Sequence, residues 1–249
     1  MEFMEHSFKN RAGSGDEIRQ SVRSLFSEIR AGLLSASEDG RVGFERSEET
    51  ARVMEGWGRA EKDAGTKQGR EAEPCRGCGL FENRARMLPG RGDPRARLMF
   101  AGNWPEWFWN LDETPDPEGA LFLKIVQSTG IDPGRVRVVP LAECPAPGGR
   151  RAFGDEIQKC RPSLMGRIQK TAPDIICAMG AEASAALLGK DFPFLSQRGR
   201  FHDLKDDRSR GPKRIRVMPT HHPAALLKDP GLKREAWEDI KKIIKEYNR

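Results

Sequence analysis

Residues 97–102, Arg97-Leu98-Met99-Phe100-Ala101-Gly102, and 174–180, Asp174-Ile175-Ile176-Cys177-Ala178-Met179-Gly180, are short apolar runs that each end on glycine. Runs of this length, apolar without alternation, predict strands buried on both faces of a parallel sheet. Val136-Arg137-Val138-Val139-Pro140-Leu141 and Arg214-Ile215-Arg216-Val217-Met218 complete a set of four. Helical segments lie between and after them. Leu121, Ile125 and Val126 precede a stop at Gly130, and 154–171 opens on acidic residues, as a helix dipole prefers. Residues 181–189 are rich in alanine, and 233–247 would turn Trp237, Ile240, Ile243 and Ile244 inward. Strand–helix alternation of this kind predicts an α/β fold, a three-layer α/β/α sandwich around a central four-stranded parallel sheet. Ligands of such sheets sit at the carboxyl ends of the strands. That directs attention to the loops 103–118, 142–153 and 219–228.

Outward from these strands, the 249-residue chain carries 43 Lys+Arg against 37 Asp+Glu, a net charge of +6 that permits a nucleic-acid partner without demanding one. No apolar run approaches the ~20 residues that span a bilayer, which excludes an integral membrane protein. The opening MEFMEHSFKNRAGSGDE lacks the apolar core of a secretory signal, so a cytoplasmic protein is expected. Residues 1–74 read as an extension. In it, Ile18, Val22, Leu25, Phe26, Ile29 and Leu33 predict one amphipathic helix over 16–34, docking on the body or on a partner. Residues 36–74 are charged and Gly-rich, a linker with too little apolar surface to fold alone and room for one short helix. The body is 75–249.

The five cysteines are too few and too dispersed for a disulfide scaffold. Cys75 and Cys78 form a CxxC, whose short turn aims both sulfurs the same way; Cys144 follows the second strand and Cys160 lies in the next helix. Four thiolates suit zinc or a [4Fe–4S] cluster. Zinc sites usually pair CxxC with a second close pair, and here fifteen residues separate the other two, so the spacing leans toward iron–sulfur. Cys177, inside a strand, is expected to be a core residue.

The segments CRGCGLFENR, RLMFAGNWP, VVPLAECPAPGGRR, EIQKCRP, PDIICAMGAEASAALLG, QRGRF and VMPTHHPAALLKDP occur in the order found in the iron–sulfur uracil-DNA glycosylases, the family-four group. The chain resembles that family over residues 75–245. The resemblance implies a uracil-DNA glycosylase-like fold and a [4Fe–4S] cluster on Cys75, Cys78, Cys144 and Cys160. It also implies hydrolysis of the N-glycosidic bond of uracil, or a related deaminated base, in double- or single-stranded DNA. Such an enzyme flips the nucleotide into a pocket and must meet the departing base with a hydrogen-bond donor.

By the same resemblance, His222 aligns with the donor histidine of the family's HPS motif. Pro223, Ala224, Ala225, Leu226 and Lys228 would form a minor-groove loop whose apolar members wedge into the stack, with Lys228 near phosphate. The family's GEAPG loop survives as Gly102-Asn103-Trp104-Pro105-Glu106, with Asn103 in place of the glutamate. An amide cannot act as a base near neutral pH but can hold a water, and other superfamily members use Asn there. The stacking Phe of the family's GxPFVGxAG segment is missing before Gly119. Trp104, Trp107, Phe108 and Trp109 could stack on a base instead, or form a local hydrophobic plug. The substrate contacts are therefore expected from Gly102, Trp104, Pro105 and Trp107.

Arg200 belongs to a basic stretch before the His222 loop that reads either as a DNA-backbone contact or as solvated surface. The covalent uracil-trapping relatives carry a KRRIH-type insertion. Lys213-Arg214-Ile215-Arg216-Val217 has no histidine, so covalent trapping is not expected. The leading expectation is a monomeric DNA repair glycosylase. The alternatives are a catalytically weak or inactive glycosylase-fold DNA-binding protein, motivated by the missing Glu and Phe, and a metal scaffold whose N-terminal helix recruits a partner.

Overall fold

The computed structural model of the chain describes residues 75–82, 84, 87–104, 116–204 and 214–249. The helix expected over 16–34, and with it Pro105, Trp107 and the other ring-bearing residues to 109, lies outside these. Six strands form one sheet: β1 (Arg91–Gly92), β2 (Leu98–Gly102), β3 (Val136–Pro140), β4 (Ile175–Met179), β5 (His202–Asp203) and β6 (Arg216–Thr220). Their order is β1-β3-β2-β4-β6-β5. The central four are parallel, in registers such as Leu98↔Val136, Leu98↔Ile175 and Ile175↔Arg216. β1 and β5 add antiparallel edges to β3 and β6. The expected four-stranded parallel sheet is thus the centre of a mixed six-stranded one. The edge strands are two residues long, too short to carry a period-2 signature.

Because successive strand residues face opposite ways, β2 divides its apolar side chains between two cores. Leu98 and Phe100 join Val136, Val138, Ile175, Cys177 and Met218 on one face. That face is covered by α1 (Pro117–Ser128), through Phe122, Leu123 and Val126, and by the C-terminal α6 (Leu232–Tyr247), through Ile240, Ile243 and Tyr247. Met99 and Ala101 join Val139, Ile176, Ala178 and Val217 on the other, under α2 (Gly154–Thr171) and α3 (Gly180–Leu188). Each fully buried large apolar side chain contributes about 1.5–3 kcal/mol. The three-layer sandwich follows from this division. Two shorter helices, α4 (Phe194–Gln197) and α5 (Pro223–Lys228), complete the body. Trp237 departs from expectation. It is 42% exposed, and Ala236 takes the inward position on that turn of α6.

The helix starts follow from local chemistry. The Asp116 carboxylate accepts from Gly119 N at 2.8 Å with Pro117 behind it, so α1 begins there. Glu156 accepts from Phe153 N at 2.7 Å and takes Arg150 in a two-pronged bond, both contacts at 2.8 Å, which fixes the entry to α2. The parallel order reverses direction between β2 and β4, and the crevice outside their carboxyl ends is where such a fold binds ligands. Asn103 follows β2, and α3 begins directly after β4.

Candidate active site

Asn103 is buried at the end of β2, and its amide is nearly saturated. Nδ2 donates to the Ala152 carbonyl at 2.9 Å and to Glu182 Oε2 at 2.8 Å, while Oδ1 accepts from Ala152 N at 3.1 Å. Both donor hydrogens are used and one Oδ1 lone pair is left. The loop ending at Phe153 and the first turn of α3 are thereby fastened to the tip of β2. Arg151 extends this brace: its Nε donates to the Asn103 carbonyl at 3.1 Å and its Nη2 pairs with the Glu118 carboxylate. Glu118 occupies the first turn of α1, and its Oε1 lies 3.8 Å from His222 Nδ1. Asn103 and His222 thus belong to one polar chain that runs through Arg151 and Glu118 and joins three strand-end loops.

His222 caps the N-terminus of α5, its Nδ1 accepting from Ala224 N at 3.3 Å. The start of α3 presses behind it. Gly180 has φ +89°, and a Cβ there would come within 3.1 Å of His222 Cβ, so the position suits glycine twice over. Burial, and then the Arg151 charge, lower the imidazole pKa from 6.5 to about 3. The ring is therefore neutral at working pH. With Nδ1 accepting, the proton sits on Nε2, a buried atom with no hydrogen-bond partner among the described residues. Such a donor is free to meet a ligand oxygen as charge develops on it.

The depressed pKa has a stability consequence. Between about pH 3 and 6.5 the unfolded chain protonates His222 and the folded chain does not, so acid favours unfolding there. Relative to His222→Asn, the wild type is expected to lose stability as pH falls from 6.5 toward 3, with no His222-dependent change above 6.5. Urea midpoints of the two proteins across that range would show it.

Gly102 and Trp104 have a packing role at this end. The indole lies so close over Gly102 that a Cβ there would come within 2.5 Å of the ring. Its Nε1 donates to the Val139 carbonyl at 3.0 Å, and its ring centroid lies 4.7 Å from that of Phe122 and 5.2 Å from that of His222. At 2% exposure Trp104 backs the imidazole and presents no free face; of the two readings of the loop's rings, it takes that of the plug. Beside it, a crevice lined by Asn103, Trp104, Pro140, Ala142, Arg150 and Ala152 encloses about 10 Å³. That is room for one water.

In the His222 loop, Pro223 is buried, Ala224 half-buried and Lys228 exposed. Leu226, expected in the wedge, is 2% exposed and packs inward, whereas Leu227 is 43% exposed. Neighbouring residues of a helix point about 100° apart, so the outward apolar side chain is the next one along. His221 is buried with Nε2 3.2 Å from Glu235 Oε2. Arg200 is exposed on the segment leading into β5, at the edge of the sheet rather than in the His222 loop. Arg198, from the same basic stretch, is internal: it pairs with Glu235 and, at 2.8 Å, with Asp239.

Cys144 belongs to loop 142–153 and also lines the crevice beside Asn103. Cys144 is buried, with Cys78 and Cys160 packed against the same core. Burial is the main cause raising the Cys144 and Cys160 thiols; proximity of Cys78 to Cys144, and of Cys144 to Cys160, raises each further. Arg84 joins the fourth to this group, with Nη1 2.8 Å from the Cys75 carbonyl and 3.8 Å from Cys144 Sγ. Arg167, itself buried, forms an ion pair with Glu143 at 2.8 Å and donates to the carbonyls of Pro89 and Pro140 at 3.0 and 2.9 Å, which anchors the Cys144 loop to α2. Among the described residues no group of three or more His, Cys, Asp or Glu is arranged to hold a metal ion. Cys177 lies fully buried in β4.

Sequence reasoning missed Glu118, Arg151, Glu182 and Arg167. Their partners stand 33, 79 or 20-odd residues away in the chain, as in Arg151–Glu118, Asn103–Glu182 and Arg167–Glu143, so no local pattern marks them.

Comparison with known proteins bears on this geometry. The family profile described as the uracil DNA glycosylase superfamily matches residues 88–241. A type-4 uracil-DNA glycosylase of Sulfurisphaera tokodaii is 31% identical over 186 residues, which cover 70% of this chain and 80% of that one. Those of Archaeoglobus fulgidus and Thermotoga maritima are 28% and 29% identical, over 70% and 68% of this chain and 88% and 86% of their own. No helix among the described residues is long and apolar enough to cross a membrane. A parallel sheet whose strand-end loops bring His222 and Asn103 into one braced cluster, and a match that spans those loops, lead to one assignment: the chain belongs to the uracil-DNA glycosylase superfamily.

Proposed function

We propose that this chain excises uracil from DNA by hydrolysing the N-glycosidic bond. The observation that carries the reading is the neutral, half-buried His222, whose buried Nε2–H is unpartnered among the described residues. As the glycosidic bond breaks, the bonding electron pair leaves with the base and negative charge develops on a uracil carbonyl oxygen. A neutral N–H already aimed and desolvated stabilises that charge without reorganising. Asn103 keeps one Oδ1 lone pair beside a crevice of one-water size, which suits it to hold the attacking water toward the sugar; the water oxygen bonds the sugar carbon as the base departs, and one of its protons passes to the uracil anion. Leu227 and Lys228, exposed on α5, reach the DNA: the leucine toward the base stack, the lysine toward phosphate. Pro223 and Ala224 hold α5 where it places them. Gly102 and Trp104 pack under the site; Pro105 and Trp107, outside the described residues, are assigned to substrate contact by the sequence resemblance alone.

The reading takes the protein as a cytoplasmic monomer with a [4Fe–4S] cluster. Cys75, Cys78, Cys144 and Cys160 would hold it. Cys78 lies near Cys144 and Cys144 near Cys160, Arg84 bridges the Cys75 carbonyl and the Cys144 sulfur, and Arg167 brings a buried positive charge beside Cys160. Such a cluster would tie segment 75–78 to the loop that carries Arg150 and Arg151. Purified protein is expected to be brown with absorbance near about 400 nm. Cys160→Ser is expected to lose most of its iron, and a variant that keeps a full complement would overturn the four-ligand set.

Excision from a uracil-containing oligonucleotide, single-stranded and paired, tests the activity directly. Release of free uracil by the wild type supports the reading. DNA binding without release, equal in wild type and His222→Ala, would instead identify a binding protein.

A further inference from the structure

Along the open edge of the sheet, between β5 and the C-terminal half of α6, runs a groove of about 340 Å³. Arg200, Arg216, Lys242, Lys245 and Arg249 line it, together with Glu246, Gly199 and Phe201. Five cations face one carboxylate. Glu246 pairs with Arg216 and, at 2.9 Å, with Arg249, drawing a guanidinium in from each side. Arg216 is further held flat, 4.2 Å over the Phe201 ring, and Lys242 Nζ donates to the Gly199 carbonyl at 2.7 Å. Three of the cations are therefore pre-positioned by the protein, and Arg200 and Lys245 are exposed with no ion-pair partner among the described residues.

The groove's position gives it direction. Gly199 N bonds the Pro219 carbonyl at 2.9 Å, close to the carboxyl end of β6 that leads to His222, whereas Arg216 opens that strand. From the level of Pro219 to that of Arg216 is about 10 Å of strand. One strand of stacked duplex presents about three phosphates in that length.

We propose that this groove binds the sugar–phosphate backbone of the DNA flanking the target nucleotide, led down the sheet edge from the His222 end. The inference rests on the glycosylase reading for the identity of its partner, but not on catalysis. Backbone binding needs several cations, a concave track and no base-specific groups, and those are what the groove offers. An acidic peptide would meet the same charges, but the track continues from the end of the sheet where the candidate site handles DNA.

The test measures binding of the full-length protein to a uracil-free oligonucleotide by fluorescence anisotropy across a range of salt concentrations. Arg200→Ala/Lys245→Ala is expected to weaken binding about tenfold and to reduce the slope of log K against log salt by about 1.8 on duplex and about 1.4 on single-stranded DNA. Lys170→Ala/Lys190→Ala removes the same charge elsewhere on the surface and is expected to leave the slope unchanged. Both groove residues are exposed, so folding is not at stake. The charge-reversed Arg200→Glu/Lys245→Glu should weaken binding further. Affinity and slope equal to wild type, or an equal loss in the control pair, would overturn the groove proposal. Loss of excision by the wild type would count against the glycosylase reading alone.

Discussion

Replacing His222 by alanine is expected to slow single-turnover uracil excision by about 10²–10³-fold, the usual cost of losing one pre-aimed donor to a developing oxyanion. The loss should fall on the chemical step and leave DNA affinity nearly unchanged, because Nε2 meets full negative charge only as the bond breaks. The wild-type rate should also show no inflection near pH 6.5. Burial holds the His222 pKa near 3, so the ring is already neutral across pH 5–8. A rate that falls on raising the pH through 6.5 would mean that an imidazolium does the work, and a His222→Ala rate within threefold of wild type would remove the residue from the chemistry.

The largest effect on stability is expected at Arg198. Its guanidinium, 17% exposed, pairs with Asp239, whose side chain is 2% exposed, and with Glu235. Thr220 Oγ1 donates to the same Asp239 oxygen at 2.8 Å. Burial pushes the Asp239 carboxyl up in spite of these partners, so the aspartate depends on them to remain ionised. Arg198→Ala strands a buried carboxylate and should cost about 3 kcal/mol in urea unfolding. Arg198→Lys should recover part of that loss, since one ammonium cannot reproduce a planar fork that reaches two carboxylates. In the Arg198→Ala/Asp239→Asn double variant the cost should be well below the sum of the single ones, because the stranded charge is gone. Additive costs would show that the pair is not coupled. Arg198, two residues before Arg200, is thus the tie between the sheet edge and α6.

The central strands were legible because burial on both faces leaves nothing but apolar residues, as in Ile175–Met179, and α2 because acidic residues mark its first turn. Trp237 misled for a different reason. Periodicity gives a helix face only to within about one residue, and Ala236 with Ile240 and Ile243 satisfies the inward stripe without the indole. At the site, Asn103 and His222 could be picked out because each falls in a motif of the family the chain resembles, in the loop just after an apolar strand. What surrounds them could not: whether Trp104 is a platform or a plug depends on Gly102, Val139 and Phe122, residues related to it only in space. The same holds for Glu118. In the sequence it is one of several acids in a polar loop, and only the fold places it between Arg151 and His222.

The two-residue strands at the margins, β1 and β5, have a bearing on how the molecule behaves in company. A parallel sheet left bare at its sides would offer a ladder of idle amides and carbonyls onto which a neighbouring chain could zip. Here Arg91–Gly92 and His202–Asp203 run opposite to their neighbours and then stop, so each flank offers an incoming strand too short a foothold for lateral growth into aggregates.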